Sequence, residues 1–139
     1  MNANFQNRSG AYAAFVLRVA LGVFFLAHVA TKIFVFTVPG TVGFFASLGL
    51  PPIAAYLTIF GELFGGIALL AGFRTRLVAA LTLPLLAGVI WAHAGNGWSF
   101  SAPKGGWEYP VFVFVAASVQ ALLGAGAWSW DESRRGATA

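Results

Sequence analysis

The stretch "PPIAAYLTIFGELFGGIALLAGF", residues 51–73, decides the fold. A transmembrane helix needs about 20 mostly apolar residues, and this run supplies them. It has no polar face to turn towards water. Yet Glu62 stands in its middle, inside "GELFGG" (61–66). A soluble amphipathic helix carries its acids on the outer face. Here an acid has only lipid or the inside of a bundle to meet. A charge at the bilayer centre costs on the order of 2.5–3.5 kcal/mol on insertion scales, so Glu62 is either a structural tie or part of a working site.

The rest of the chain has the same character. Of its 139 residues, 59% are hydrophobic and 9% charged, against about 25% charged in an ordinary soluble domain. That leaves too little polar surface to coat a globule, which points to an integral membrane protein. There is no cysteine, which excludes disulfides, thiolate metal sites and CxxC redox chemistry. The net charge of +4 is not gathered into a basic run or stripe, so it indicates basic residues at a membrane surface rather than nucleic acid as a partner.

Four stretches reach membrane-spanning length: 12–36, 52–73, 77–94 and 109–128. They predict one all-α domain over 1–139, an integral membrane four-helix bundle of up-down topology. The link "RTR" (74–76) is so short that the second and third helices must form an antiparallel hairpin. Arg8, Arg74, Arg76, Arg134 and Arg135 fall on one side, with Lys32 and Lys104 on the other. The positive-inside rule then puts both termini in the cytoplasm. Arg18 interrupts the first apolar stretch, and "AHVATK" is a poor cleavage site, so this span reads as retained rather than as a signal peptide. Trp98, Trp107 and Tyr109 mark one membrane interface, Trp128 and Trp130 the other. Of the outer links, "TVPGTVGFFASLGLPP" (37–52) is expected to make a short interfacial turn around Phe44, Phe45 and Leu48. "GNGWSFSAPKGGWE" (95–108) is expected to be an ordered outer loop.

The polar residues sort by depth. His28, Lys32, His93 and Glu108 form an outer group; Arg18, Glu62 and Gln120 form an inner one. Glu62 lies between Arg18 and His28 in height, so either is its expected partner. Arg18 is long enough to snorkel to the inner surface. Lys32 and Glu108 read as interface anchors. His28 and His93 alone, without further ligand spacing, do not make a metal site, and no metal is expected. Gly61 and Gly65 form a GxxxG pair at which another helix backbone is expected to approach.

Taken in order, Arg18, "LGVFFLAHVATK" (21–32), "FFASLGLP" (44–51), "GELFGGIALLAGFRTR" (61–76), "GGWEYP" (105–110) and "GAGAWSWDE" (124–132) resemble the DoxX family of small four-helix bacterial membrane proteins. The resemblance runs from about Arg18 to Asp131. Arg18, Lys32, Glu62, Arg74, Glu108 and Asp131 fall on the recurrent polar positions of that family. It implies a multi-pass protein of the bacterial cytoplasmic (inner) membrane, similar to the membrane subunit of a thiosulfate:quinone oxidoreductase. It further implies a soluble or membrane-bound oxidoreductase partner and a place in sulfur or oxidative-stress metabolism.

A quinone needs an apolar slot, hydrogen-bond donors for its carbonyls and a proton route. The expected quinone ligands are Arg18, His28, Glu62, His93 and Gln120. Arg18 or His28 would donate and Glu62 would carry protons, while Lys32, Arg74, Glu108 and Asp131 would serve structure. Two rival classes are a non-catalytic membrane anchor or assembly factor, and a small transporter or proton pathway. No broken helix pair or inverted repeat marks the latter. Reporter fusions test the topology. A fusion at Ala139 is expected to report the cytoplasm and one near Asn96 the opposite side; equal signals from both would overturn the four-span reading.

Overall fold

The computed structural model describes residues 3–136, with side chains for residues 8–133. The side chains of Arg134 and Arg135, counted above for orientation, lie outside the described residues. Helix α1 (Ala3–Ala30) continues through a π-helical turn (Thr31–Val35). Then come α2 (Val38–Ser47), α3 (Pro52–Ala71), α4 (Thr75–His93), a 3-10 turn (Ala94–Asn96), α5 (Glu108–Leu123) and α6 (Trp130–Gly136). No strand occurs among the described residues.

Three helical segments are long and apolar enough to cross a membrane: Arg8–Val35, Pro52–Ala71 and Thr75–Asn96. The helix expected over 109–128 stops at Leu123. Gly124 and Gly126 take φ of 86° and 68° there, a region that favours glycine. The Gln120 amide donates to the Gly124 carbonyl at 2.6 Å and seals the break. At 16 residues, α5 is about 24 Å long, shorter than a hydrocarbon core of about 30 Å. The link 37–52 also differs from expectation. It holds a ten-residue helix, α2, started by Thr37, whose hydroxyl accepts from the Gly40 N–H, and by Pro39 in the first turn.

The helices pack in ring order, α1 on α3, α3 on α4, α4 on α5 and α5 back on α1, with α2 against α3. Each buries a stripe spaced by three and four residues. On α1 it is Ala14, Arg18, Leu21, Phe25 and Val29; on α3 it is Ala55, Ile59, Glu62, Gly66 and Leu69. On α4 it is Thr75, Ala79, Thr82 and Leu86, and on α5 Pro110, Val113, Ala117 and Gln120. The outward faces are apolar as well: Val16, Leu57, Phe64, Leu81 and Phe112 are each more than 60% exposed. Polar side chains thus lie in the stripes while large apolar ones face out, the arrangement suited to lipid.

The tightest helix crossing joins α1 to α3. A Cβ added at Gly22 or at Gly66 would lie 3.1 Å from the other residue's carbonyl oxygen. The close approach expected at Gly61 and Gly65 therefore falls on Gly66 instead. Gly65 faces the Thr82 side chain and Gly61 the Leu85 side chain, both on α4.

Arg18 organises the end of the bundle that holds the α3–α4 turn, called the inner end after the orientation expected from the sequence. It is fully buried. Its Nη1 donates to the Leu69 and Leu70 carbonyls at 2.9 Å each. Its Nη2 donates to those of Ala127 and Trp128 at 3.2 and 3.0 Å. The first pair are among the last carbonyls of α3, where helical partners run out, and Leu69 accepts from the Gly72 N–H as well. Gly72, at φ 68°, turns the chain after α3, and its missing side chain leaves room for the guanidinium. The segment after α5 crosses beneath the bundle. Ala127 N–H donates to the Ala11 carbonyl, and the Trp128 ring packs on Tyr12 and Phe15. Asp131 then caps α4 from a distance, accepting the Arg74 and Thr75 N–H groups at 2.8 and 3.0 Å.

Two outcomes check this packing. Gly66→Leu is expected to lower the melting temperature in detergent well below that of Gly88→Leu, whose added Cβ meets nothing within 4 Å. Equal melting temperatures would remove the close α1–α3 crossing. Arg18→Leu takes this donor from the part-buried Leu70, Ala127 and Trp128 carbonyls and is expected to cost about 1–3 kcal/mol. Arg18→Lys, which keeps the charge but loses the planar fork, should recover only part of that loss. The readouts are thermal unfolding and the rate of proteolysis after residue 123; a parent-like Arg18→Leu would show that the buried fork holds nothing together.

Candidate functional site

The carboxylate of Glu62 is 3% exposed and sits in the buried stripe of α3. Both its oxygens lie 2.8 Å from Lys32 Nζ. Lys32 belongs to the π-helical turn, where the Phe36 N–H reaches back to the Thr31 carbonyl. A π turn inserts one residue into a helical turn and is frequent at functional sites. The Lys32 carbonyl accepts from the Thr41 hydroxyl at 3.0 Å, so α2 braces the turn that carries the ammonium.

The expected partners of Glu62, Arg18 and His28, are thus replaced by Lys32, which the sequence suggested as an interface anchor. The reason is height. Arg18 is drawn to the carbonyls of Leu69 and Leu70, roughly 10 Å along α3 from Glu62 at 1.5 Å per residue. Lys32 approaches from the outer side on a flexible four-carbon stem. Glu62 therefore belongs with the outer group.

His28 lies one turn before Lys32 on α1 and is half-buried. Its ring packs on Phe24 with centroids 4.1 Å apart, and Phe24 in turn packs on Tyr109 of α5 at 5.6 Å. His93 has other work. Its Nδ1 hydrogen-bonds the Gly105 carbonyl at 2.9 Å, and Asn96 donates to the Lys104 and Gly105 carbonyls. Among the described residues, no group of three or more His, Cys, Asp or Glu is placed to hold a metal.

The 95–108 loop is ordered. Trp107 N–H donates to Gly97 and Glu108 N–H to Trp98, while the Trp98 and Trp107 rings meet edge to face at 4.5 Å. Glu108 Oε2 accepts from Phe100 N–H at 3.2 Å, tying the loop to the start of α5. Beneath it opens a cleft of about 460 Å³ lined by Trp98, Phe100, Glu108, Tyr109, Phe112 and Val115 among others. Of these residues Trp98, Glu108 and Tyr109 have polar side-chain atoms. Tyr109 joins the cleft through Phe24 to His28, and so to the neighbourhood of the Lys32–Glu62 pair.

The other expected site residues stay at the inner end. Arg18 and Gln120 are fully buried; Gln120 is engaged with Gly124, and Arg74 and Asp131 meet at the α3–α4 turn. Sequence reasoning missed Thr41 and Phe24. A threonine or phenylalanine in an apolar stretch carries no signal of its own, and their roles arise from neighbours distant in sequence.

This geometry can be set beside known proteins. The sequence model of the DoxX family matches residues 13–95. That range contains Arg18, His28, Lys32, Glu62 and Arg74; the likeness noted for "GGWEYP" and "GAGAWSWDE" lies beyond it. A Bacillus subtilis (strain 168) protein named "Putative oxidoreductase CatD" is 37% identical over 85 residues, 61% of this chain and 62% of that protein. The match thus spans less than two thirds of that relative's length. No solved structure matches the chain. With more than half of its length, from 13 to 95, matched by the family, the chain belongs to the DoxX family.

Proposed function

We propose that this chain is the membrane subunit of an oxidoreductase complex in a bacterial inner membrane, and that it binds a quinone. In this reading it is a four-helix up-down bundle with both termini in the cytoplasm, α5 completing the set of spans. The observation that carries the reading is the Lys32–Glu62 pair, an acid and a base held at 2.8 Å inside an apolar bundle, one helical turn from an imidazole. Ionisable groups at such depth mark proton or ligand paths by default. The name of the Bacillus subtilis relative supports the oxidoreductase class.

The outer cleft, open on the side of the exposed Phe100 and Phe112, has apolar walls and room for a quinone ring, with Tyr109 among its lining residues. The quinone supplies the redox chemistry, taking two electrons from a partner together with two protons. The chain's own residues bind and protonate. Tyr109 is the donor for this role at the cleft, with His28 behind Phe24 on the side of Glu62, because the four terminal N–H groups of Arg18 are engaged by carbonyls. Glu62 holds the proton at its Oε atoms, and Lys32 keeps the carboxylate in place when the proton has left. The 95–108 loop, fastened by His93, shields the cleft from water.

Glu62→Gln keeps the size of the side chain and removes its titratable proton. The variant is expected to fold, to retain extractable quinone and to lose partner-dependent quinone reduction by about 100-fold or more. Reduction at the parent rate would remove Glu62 from the proton route. A parent protein that yields no quinone on gentle-detergent purification and solvent extraction would overturn the quinone reading and leave a non-catalytic anchor.

A further inference from the structure

A second cleft, of about 530 Å³, opens at the inner end between the start of α4 and the segment that follows α5. Its walls include Arg74, Arg76, Leu77, Leu123, Asp131 and Glu132. The route described for quinone and protons does not use it.

The two arginines have donors to spare. Arg76 Nη2 makes one long contact, 3.4 Å, to the Leu123 carbonyl, and its guanidinium lies against Gly124. Arg74 lies over the Phe73 ring at 5.8 Å. Among the described residues its guanidinium forms no salt bridge within 4 Å, the single such bridge being Lys32–Glu62. The backbone that carries both arginines is fixed. Arg74 sits at φ 44° with its N–H held by Asp131, and Thr75 N–H is held by the other oxygen of the same carboxylate. Asp131 keeps its negative charge while it caps α4, and with the exposed Glu132 it sets two acids against the two arginines; among the described residues neither carboxylate forms a salt bridge within 4 Å, so the guanidinium N–H groups stay open to a ligand.

The cleft is also two-sided. Leu77 and Leu123 are 49% and 46% exposed, on helix flanks that lipid covers. Trp128, 69% exposed at the same end, suits the membrane–water boundary. A ligand that completes such a place carries an anionic oxygen cluster for two guanidinium forks and hydrocarbon for the leucines.

We propose that the inner cleft binds the headgroup phosphate of an anionic phospholipid, with Arg74 and Arg76 on the phosphate oxygens and the acyl chains along Leu77 and Leu123. Guanidinium forks without carboxylate partners at a membrane surface are suited to such headgroups. Free phosphate shares the arginine chemistry but leaves the apolar flanks uncovered. Glu132 sets the affinity from the other side, since its charge opposes the phosphate.

The test uses the full chain in neutral detergent and counts bound lipid by native mass spectrometry, with phosphatidylglycerol and phosphatidylcholine of matched chains. Phosphatidylglycerol is expected to bind about ten-fold more tightly than phosphatidylcholine, and Arg74→Gln and Arg76→Gln each to weaken it about five-fold. Glu132→Gln is expected to strengthen phosphatidylglycerol binding, a gain that a misfolded variant would not show. Melting temperatures are read on the same samples, and the arginine variants are expected to match the parent. Equal binding of the two lipids, or unchanged binding in the arginine variants, would overturn the site. Weaker binding in Glu132→Gln would overturn its place at the cleft. Full displacement of phosphatidylglycerol by millimolar inorganic phosphate would overturn the lipid in favour of a soluble phosphate.

Discussion

A buried guanidinium must have its N–H groups answered, because an unanswered charge in an apolar interior is costly. Arg18 answers its four terminal N–H groups with four carbonyls and no carboxylate, while its Nε–H stays buried without a partner. Two come from the end of α3, where the helix dipole concentrates partial negative charge. The other two come from the chain that returns after α5. The charge therefore fixes where α3 ends, why Gly72 follows it, and where the last segment must run. Asp131 extends the arrangement to α4, so α1, α3, α4 and the returning segment are joined through one small polar region.

The outer end is built on a different rule. There an acid meets a base, and the carrier of the base is a local irregularity in α1. The π-helical turn leaves its segment less regular than the helix below it, and Thr41 of α2 compensates by binding the Lys32 carbonyl. Regular helix at one end and bent helix at the other separate the residues that hold the bundle from those available for chemistry. Tyr109, Phe24 and His28 add an aromatic layer between that pair and the outer cleft.

Much of this was legible in the sequence. Composition showed the solvent, and the apolar runs showed the long helices, because backbone hydrogen bonds in lipid leave little choice but helix. That Glu62 faces inward followed from the cost of the alternative. Its partner did not follow, because pairing depends on the register between helices, and nothing in "TKIFVF" announces a π turn. The acceptors of Arg18 were equally hidden, since every residue owns a carbonyl. Apolar content carried the last span through to 128, but two glycines at positive φ and the Gln120 amide end it at Leu123. In 37–52 the reverse occurred: a short interfacial turn was expected around Phe44, Phe45 and Leu48, while Thr37 and packing against α3 support a helix.

The long reach of Arg18 bears on how the protein is made. Its last two acceptors lie 109 and 110 residues further along the chain. At a synthesis rate of about 5–20 residues per second, α1 exists for roughly 5–20 seconds before those acceptors are polymerised. During that interval the nascent hairpin carries a cation that its own helices only half satisfy. Until then the long side chain can reach the nearer membrane surface and keep its remaining N–H groups hydrated. A chain cut ahead of residue 127 lacks the Ala127 and Trp128 carbonyls and leaves two of the four terminal Arg18 N–H groups unanswered by protein.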